Sequence, residues 1–155
     1  MLRSETKYIV IHCTATKASA MDSVTAADVD RWHKARGWRG IGYHFVIEAD
    51  GNISPGRAIN ERGAHVRGYN DVSIGVALVG GLDDNGKPSA NFRPAQMVSL
   101  SNHLEYLRGI YPFAIVLGHR DLSPDLNGDG VIQPNEWLKD CPCFDVVMWM
   151  ETQNA

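Results

Sequence analysis

Segment 118–145, GHRDLSPDLNGDGVIQPNEWLKDCPCFD, sets an imidazole and a thiol twenty-two residues apart, with oxygen donors between them. His119 leaves the apolar run Ala114–Leu117, and Lys139 stands just before the Cys-Pro-Cys at 141–143. A thiolate and an imidazole suit zinc, whereas carboxylates and carbonyls suit calcium, so the segment reads as serving two different ions. A catalytic zinc takes three protein ligands and keeps a fourth position open. His12, at the end of another apolar run, would complete that set with His119 and Cys141. Cys143 is a candidate fourth ligand, but Pro142 between the two cysteines makes both hard to aim at one ion. For His12 the plainer alternative is a core histidine bonded to backbone.

The oxygen-rich stretch has a pattern of its own. Asp125, Asn127, Asp129, Gly130 and Glu136 fall at positions one, three, five, six and twelve of an EF-hand-type loop. Val131 would give its backbone carbonyl at position seven, and Ile132 fills the apolar eighth place. Ser123 and Pro124 argue against a full helix–loop–helix, so a lone calcium loop at 125–136 is expected. Three acidic ligands suggest an affinity on the order of 10⁻⁵ to 10⁻³ M. Its expected job is structural: to fix Lys139 and Cys141 relative to His119. An ordinary Gly/Asn/Asp turn is the alternative.

These groups need elements to hold them. Tyr8–Cys13 is β-branched and almost wholly apolar, which predicts a central strand buried on both faces. Thr25 to Lys34 predicts a helix, with Thr25 and Asp28 as capping box, Val29, Trp32 and Ala35 at helical spacing, and Gly37 as stop. His33 beside Trp32 reads as a surface or packing residue. Gly42–Ile47 predicts a strand turned by Asp50-Gly51 into a hairpin. Strand alternation keeps Tyr43 and His44 from lining one cleft unless the strand ends there. Residues 55–73 read as a loop whose Arg62, His65, Arg67, Tyr69 and Asn70 either meet solvent or line a groove. Ser73–Val79 predicts a third core strand, and Pro94–Ile110 an amphipathic helix with Met97, Leu100, Leu104 and Leu107 inward and His103 exposed. Ala114–Leu117 predicts a buried strand, and Phe144–Met150 a closing helix. Strands interleaved with helices give a single α/β domain with a mixed central sheet.

Composition narrows the function. With 155 residues, 44% hydrophobic and 21% charged, the chain has the make-up of one globular domain with a real core. A net charge of −3 supplies no bulk attraction to nucleic acid or to an anionic membrane, so neither is expected as a partner. The first residues lack the apolar core of a signal peptide and no run approaches a membrane span, so synthesis in the cytoplasm is expected. Three cysteines, two of them separated by one residue, do not suggest a disulfide framework.

The stretches IVIHCTATK (9–17), RWHKARGW (31–38), GYHFVIEADG (42–51), GAHVRGYN (63–70), SIGVALVGG (73–81), NFRPAQ (91–96), GHRDLSP (118–124) and CPCFD (141–145) resemble the zinc-dependent N-acetylmuramoyl-L-alanine amidases of the type 2 family. Short phage endolysins show the nearest resemblance, and peptidoglycan recognition proteins share the fold. The resemblance implies a mixed sheet of about five strands flanked by helices. It implies zinc ligands at His12, His119 and Cys141, with Cys13 and Cys143 as bystanders. It also implies catalytic roles for Tyr43 and Lys139, and groove contacts to substrate for His65 and Asn70. Peptidoglycan is the implied substrate, reached from the cytoplasm after a separate protein permeabilises the membrane. Some phage members also act on an RNA polymerase, so a regulatory protein partner of that kind is a further expectation. The phage enzymes run almost directly from the second histidine to the cysteine, so the calcium-like loop falls outside the resemblance. A binding-only recognition protein would usually lack the cysteine ligand, and a cytoplasmic recycling amidase would act on soluble muropeptides.

Overall fold

The computed structural model describes residues 1–153. Tyr8–Cys13 forms β1 and Thr16–Lys17 the short β2. Helix α1 spans Ala26–Ala35, started by the Thr25–Asp28 capping box: Asp28 Oδ2 accepts the Thr25 N–H at 2.8 Å. Gly37, with φ of +91°, follows its end in a conformation that side chains resist. Strands β3 (Phe45–Ile47) and β4 (Ile53–Pro55) form the hairpin around Asp50-Gly51. Then come β5 (Ser73–Leu78), β6 (Gly81–Leu82), α2 (Pro94–Ile110), β7 (Ile115–Gly118) and α3 (Val146–Gln153).

The main sheet runs β4-β3-β5-β1-β7, with β3–β4 antiparallel and the other pairs parallel, while β2 and β6 pair separately. This is the expected single α/β domain with a mixed five-stranded sheet. Side-chain alternation divides the core. Ile9 and Ile11 of β1 and Ile74, Val76 and Leu78 of β5 meet Leu100, Leu104 and Leu107 of α2 and Val146 of α3. Val10, by contrast, faces the opposite side with Val66 and Leu117. His12 shares the parity of Val10, and Ser73 and Gly75 are the partners of Tyr8 and Val10 across the strand pair. One face of the sheet is therefore greasy throughout, and the other carries polar groups near the strand ends.

Three expectations shift. The last strand lies at the sheet edge with Ile115 58% exposed, because it pairs with β1 on one side only. The strand expected from Gly42 begins at Phe45, which frees Tyr43 and His44 from strict alternation. His103 is partly buried, its ring 4.3 Å from that of Phe45: it lies one turn from both Leu100 and Leu107, on the flank of the buried stripe. No described helix is long and apolar enough to cross a membrane. Leu104 is 2% exposed at the centre of the α2 contact. Leu104→Ala should lower unfolding free energy by about 2–5 kcal/mol, read as a shift in the denaturant midpoint at unchanged slope.

Candidate active site

Parallel pairing of β1 with β7 sets Ile11 opposite Gly118, so the chain leaving β7 delivers His119 beside His12. The two rings lie 4.8 Å apart between centroids, inclined by 63°. Cys141 arrives from the far end of the segment that follows His119, and its carbonyl accepts the Arg120 N–H at 2.9 Å. Its sulfur sits 3.8 Å from His12 Nδ1 and accepts the Cys13 N–H at 3.1 Å. One ligand atom each from His12, His119 and Cys141 lies within 4.8 Å of the others. Two tetrahedral zinc ligands, one N and one S, stand roughly 3.5 Å apart. The spacing and the soft-plus-borderline donor set therefore fit a single metal ion.

The electrostatics agree with a cation site. Burial pushes His12 well below its ordinary pKa, helped by His65, His119 and Lys139. Burial, then the Lys139 charge, lowers His119 to about 4. Both imidazoles are thus neutral at pH 7, the form in which an imidazole can take a metal. Tyr43, its ring 5.0 Å from that of His12, is pushed up by burial and by Cys141 and Cys13, so its phenol keeps its proton. Cys13 rises to about 12 through contact with Cys141, and Cys143 is raised by Cys13 and by burial.

Tyr43, Lys139, His65 and the three metal-ligand candidates all line one cleft. Asn70 does not: its Oδ1 accepts the N–H groups of His65 and Val66 at 2.7 and 2.9 Å, bracing the loop. His33 is a buried strut whose Nδ1 accepts the Gly42 N–H at 2.9 Å. His44 is fully buried behind the site, Nδ1 accepting from Gly75 N–H and Nε2 donating to the Glu61 carbonyl. The opposite wall of the cleft went unassigned in the sequence. Trp32 and Trp38, 39% and 38% exposed, stand there with Arg36, whose guanidinium lies 5.7 Å from the Trp38 ring centre. Trp32 therefore leaves the helix stripe for the cleft. Two tryptophans and an arginine within seven residues were the available signal.

The 125–136 loop folds as a second cluster. Asp125, Asp129 and Glu136 each bring a carboxylate oxygen within 4.8 Å of the others. Gly130, with φ of +81°, donates to Asp125 Oδ2 at 2.7 Å. Asn127 Oδ1 accepts the Asp129 N–H at 3.1 Å, and Val131 donates to Asp129 Oδ1 at 2.9 Å. Glu136, only 3% exposed, accepts from the N–H groups of Leu126 and Gln133. The Arg120 guanidinium covers the Trp137 ring at 3.9 Å, and Ser123 Oγ accepts the Leu138 N–H at 3.1 Å, closing the loop at its base.

The N-acetylmuramoyl-L-alanine amidase family matches residues 2–137. The endolysin of Enterobacteria phage K11 is 44% identical over 150 residues, covering 97% of this chain and 89% of that protein. The amidase LysC from Clostridium intestinale URNW superposes with a TM-score of 0.71 at 29% identity, over 96% of this chain and 84% of that one. Drosophila PGRP-LB gives 0.64 at 27% identity, over 91% and 76%. The chain belongs to the N-acetylmuramoyl-L-alanine amidase family and is an enzyme of that class.

Acid should unfold this protein steeply. Burial holds His44, like His119, at about 4, well under an exposed histidine's 6.5. Below pH 6.5 the unfolded chain binds protons that the folded one refuses, so stability falls as pH drops towards 4. The fully buried His44 alone contributes a slope of about 1.4 kcal/mol per pH unit. Denaturant titrations of metal-free protein from pH 7 to 4.5 check it; a flat profile contradicts the burial.

Proposed function

We propose that this chain is a zinc-dependent endolysin that hydrolyses the amide between the lactyl group of N-acetylmuramic acid and L-alanine of the peptidoglycan stem. The carrying observation is the convergence of His12, His119 and Cys141 beside Tyr43 and Lys139 on one open cleft. Bound zinc would supply Lewis-acid polarisation of the carbonyl and bring a water to a pKa near 7. His12, His119 and Cys141 would hold it and leave one side facing the cleft.

The other residues act on the substrate. Lys139 Nζ places a positive charge where the scissile carbonyl oxygen becomes negative. Tyr43, held protonated by its surroundings, acts as a hydrogen-bond donor and not as the base. Trp32 and Trp38 offer apolar faces to the sugar, and Arg36 a guanidinium to a stem-peptide carboxylate. His65 and Asn70 shape the groove from behind. The K11 relative, itself an endolysin, supports action on the cell wall; passage to the wall after a separate protein opens the membrane is part of the same proposal. Lys139→Ala should lower kcat by about 10²–10³-fold, as for loss of an oxyanion donor, with zinc content unchanged. The assay is on intact sacculi: new alanine amino termini must appear without new reducing sugar ends. Reducing ends without amino termini, or full activity in the variant, would contradict the reading.

Calcium is proposed for the 125–136 loop, with Asp125, Asn127, Asp129, the Val131 carbonyl and Glu136 as ligands. The EF-hand spacing and the three gathered carboxylates support it. Millimolar calcium should raise Tm and activity together, and Glu136→Gln should abolish both responses. Calcium titrations that leave Tm unmoved would reduce the loop to a turn.

A further inference from the structure

His65 touches His12 at one wall of the cleft, and every partner of its ring is fixed by another. Ser73 Oγ lies 2.7 Å from the Tyr69 carbonyl oxygen and 3.3 Å from His65 Nε2. A carbonyl only accepts, so the one hydroxyl proton of Ser73 is committed to Tyr69. Ser73 then has only lone pairs for His65, and His65 Nε2 must carry the N–H. A neutral imidazole with its proton on Nε2 presents a lone pair at Nδ1. That atom is 2.9 Å from His12 Nε2, which must therefore donate. His12 is left with its lone pair on Nδ1, the nitrogen 3.8 Å from the Cys141 sulfur.

We propose that His65 is a positioning residue for the metal centre: a chain from the Tyr69 carbonyl through Ser73 and His65 fixes the tautomer and tilt of His12 and aims Nδ1 at the ion. The inference rests on reading His12 as a ligand. The fold makes room for this one ring. A Cβ on Gly75 would meet three atoms of the His65 ring at 2.7–2.9 Å, and one on Gly63 would meet its Cδ2 at 2.5 Å. Ser73 and Gly75 are two apart on β5, so one supplies the acceptor and the other the space on the same face as His12. Asn70 anchors the backbone at His65 itself. Every link is thus set by strand register or a backbone group, which is what an orienting partner to a ligating histidine requires.

The test separates this chain from the zinc reading. In metal-free native protein, nitrogen-15 NMR of the imidazoles should show His12 and His65 both protonated on Nε2. A His12 proton on Nδ1 overturns the proposal outright and needs no variant. By competition with a chromophoric chelator, His65→Leu should bind zinc about 10- to 100-fold more weakly than native, as for loss of other outer-sphere partners. His65→Asn, whose amide oxygen can stand at the Nδ1 place, should recover most of that loss. Gly75→Ala, which displaces the ring without removing a polar group, should weaken zinc binding in the same direction. Native affinity in His65→Leu overturns the proposal while leaving zinc in place. Failure of the native protein to bind zinc would instead sink the reading of His12 as a ligand, and with it this inference.

Discussion

The molecule depends on the parallel pairing of β1 with β7. Two strands far apart in sequence end side by side, and each hands a histidine to the same corner. Parallel pairs need long crossovers, so the helices that make the connection also cover the sheet. On one face α2 and α3 bury the aliphatic residues of β1 and β5. The opposite face is thereby left to carry His12, Ser73 and Gly75 near a solvent cleft. The same period of two that builds the core segregates the polar groups from it.

The third donor reaches this corner differently. Cys141 rides on a segment without regular structure and is held by backbone contacts: its carbonyl to Arg120 and its sulfur to the Cys13 amide. The segment between His119 and Cys141 is closed at its base by Ser123 and Leu138 and by Arg120 stacked over Trp137. An oxygen-lined loop can sit there without spreading His119 and Cys141 apart.

Much of the architecture could be read directly. Tyr8–Cys13 and Pro94–Ile110 have the boundaries that their apolar runs and Pro94 dictate, and Thr25 with Asp28 caps α1 as their spacing requires. The gathering of His12, His119 and Cys141 was legible because strand ends and soft donors are visible in sequence. What was not legible depends on three-dimensional neighbours. Trp32 satisfies helical spacing yet faces the cleft, since the loop carrying Trp38 and Arg36 folds back beside it. Ile115 looks like core until β7 proves to be an edge. His65 lies in a loop with no periodicity, so nothing local reveals that its ring ends up against His12 over a glycine of β5.

The most direct test is X-ray absorption at the zinc edge of the purified, active protein. The account predicts one zinc with two imidazole nitrogens and one sulfur, plus one light-atom ligand from solvent. A second sulfur from Cys143 in place of that solvent ligand, or a shell of oxygens alone, would contradict it.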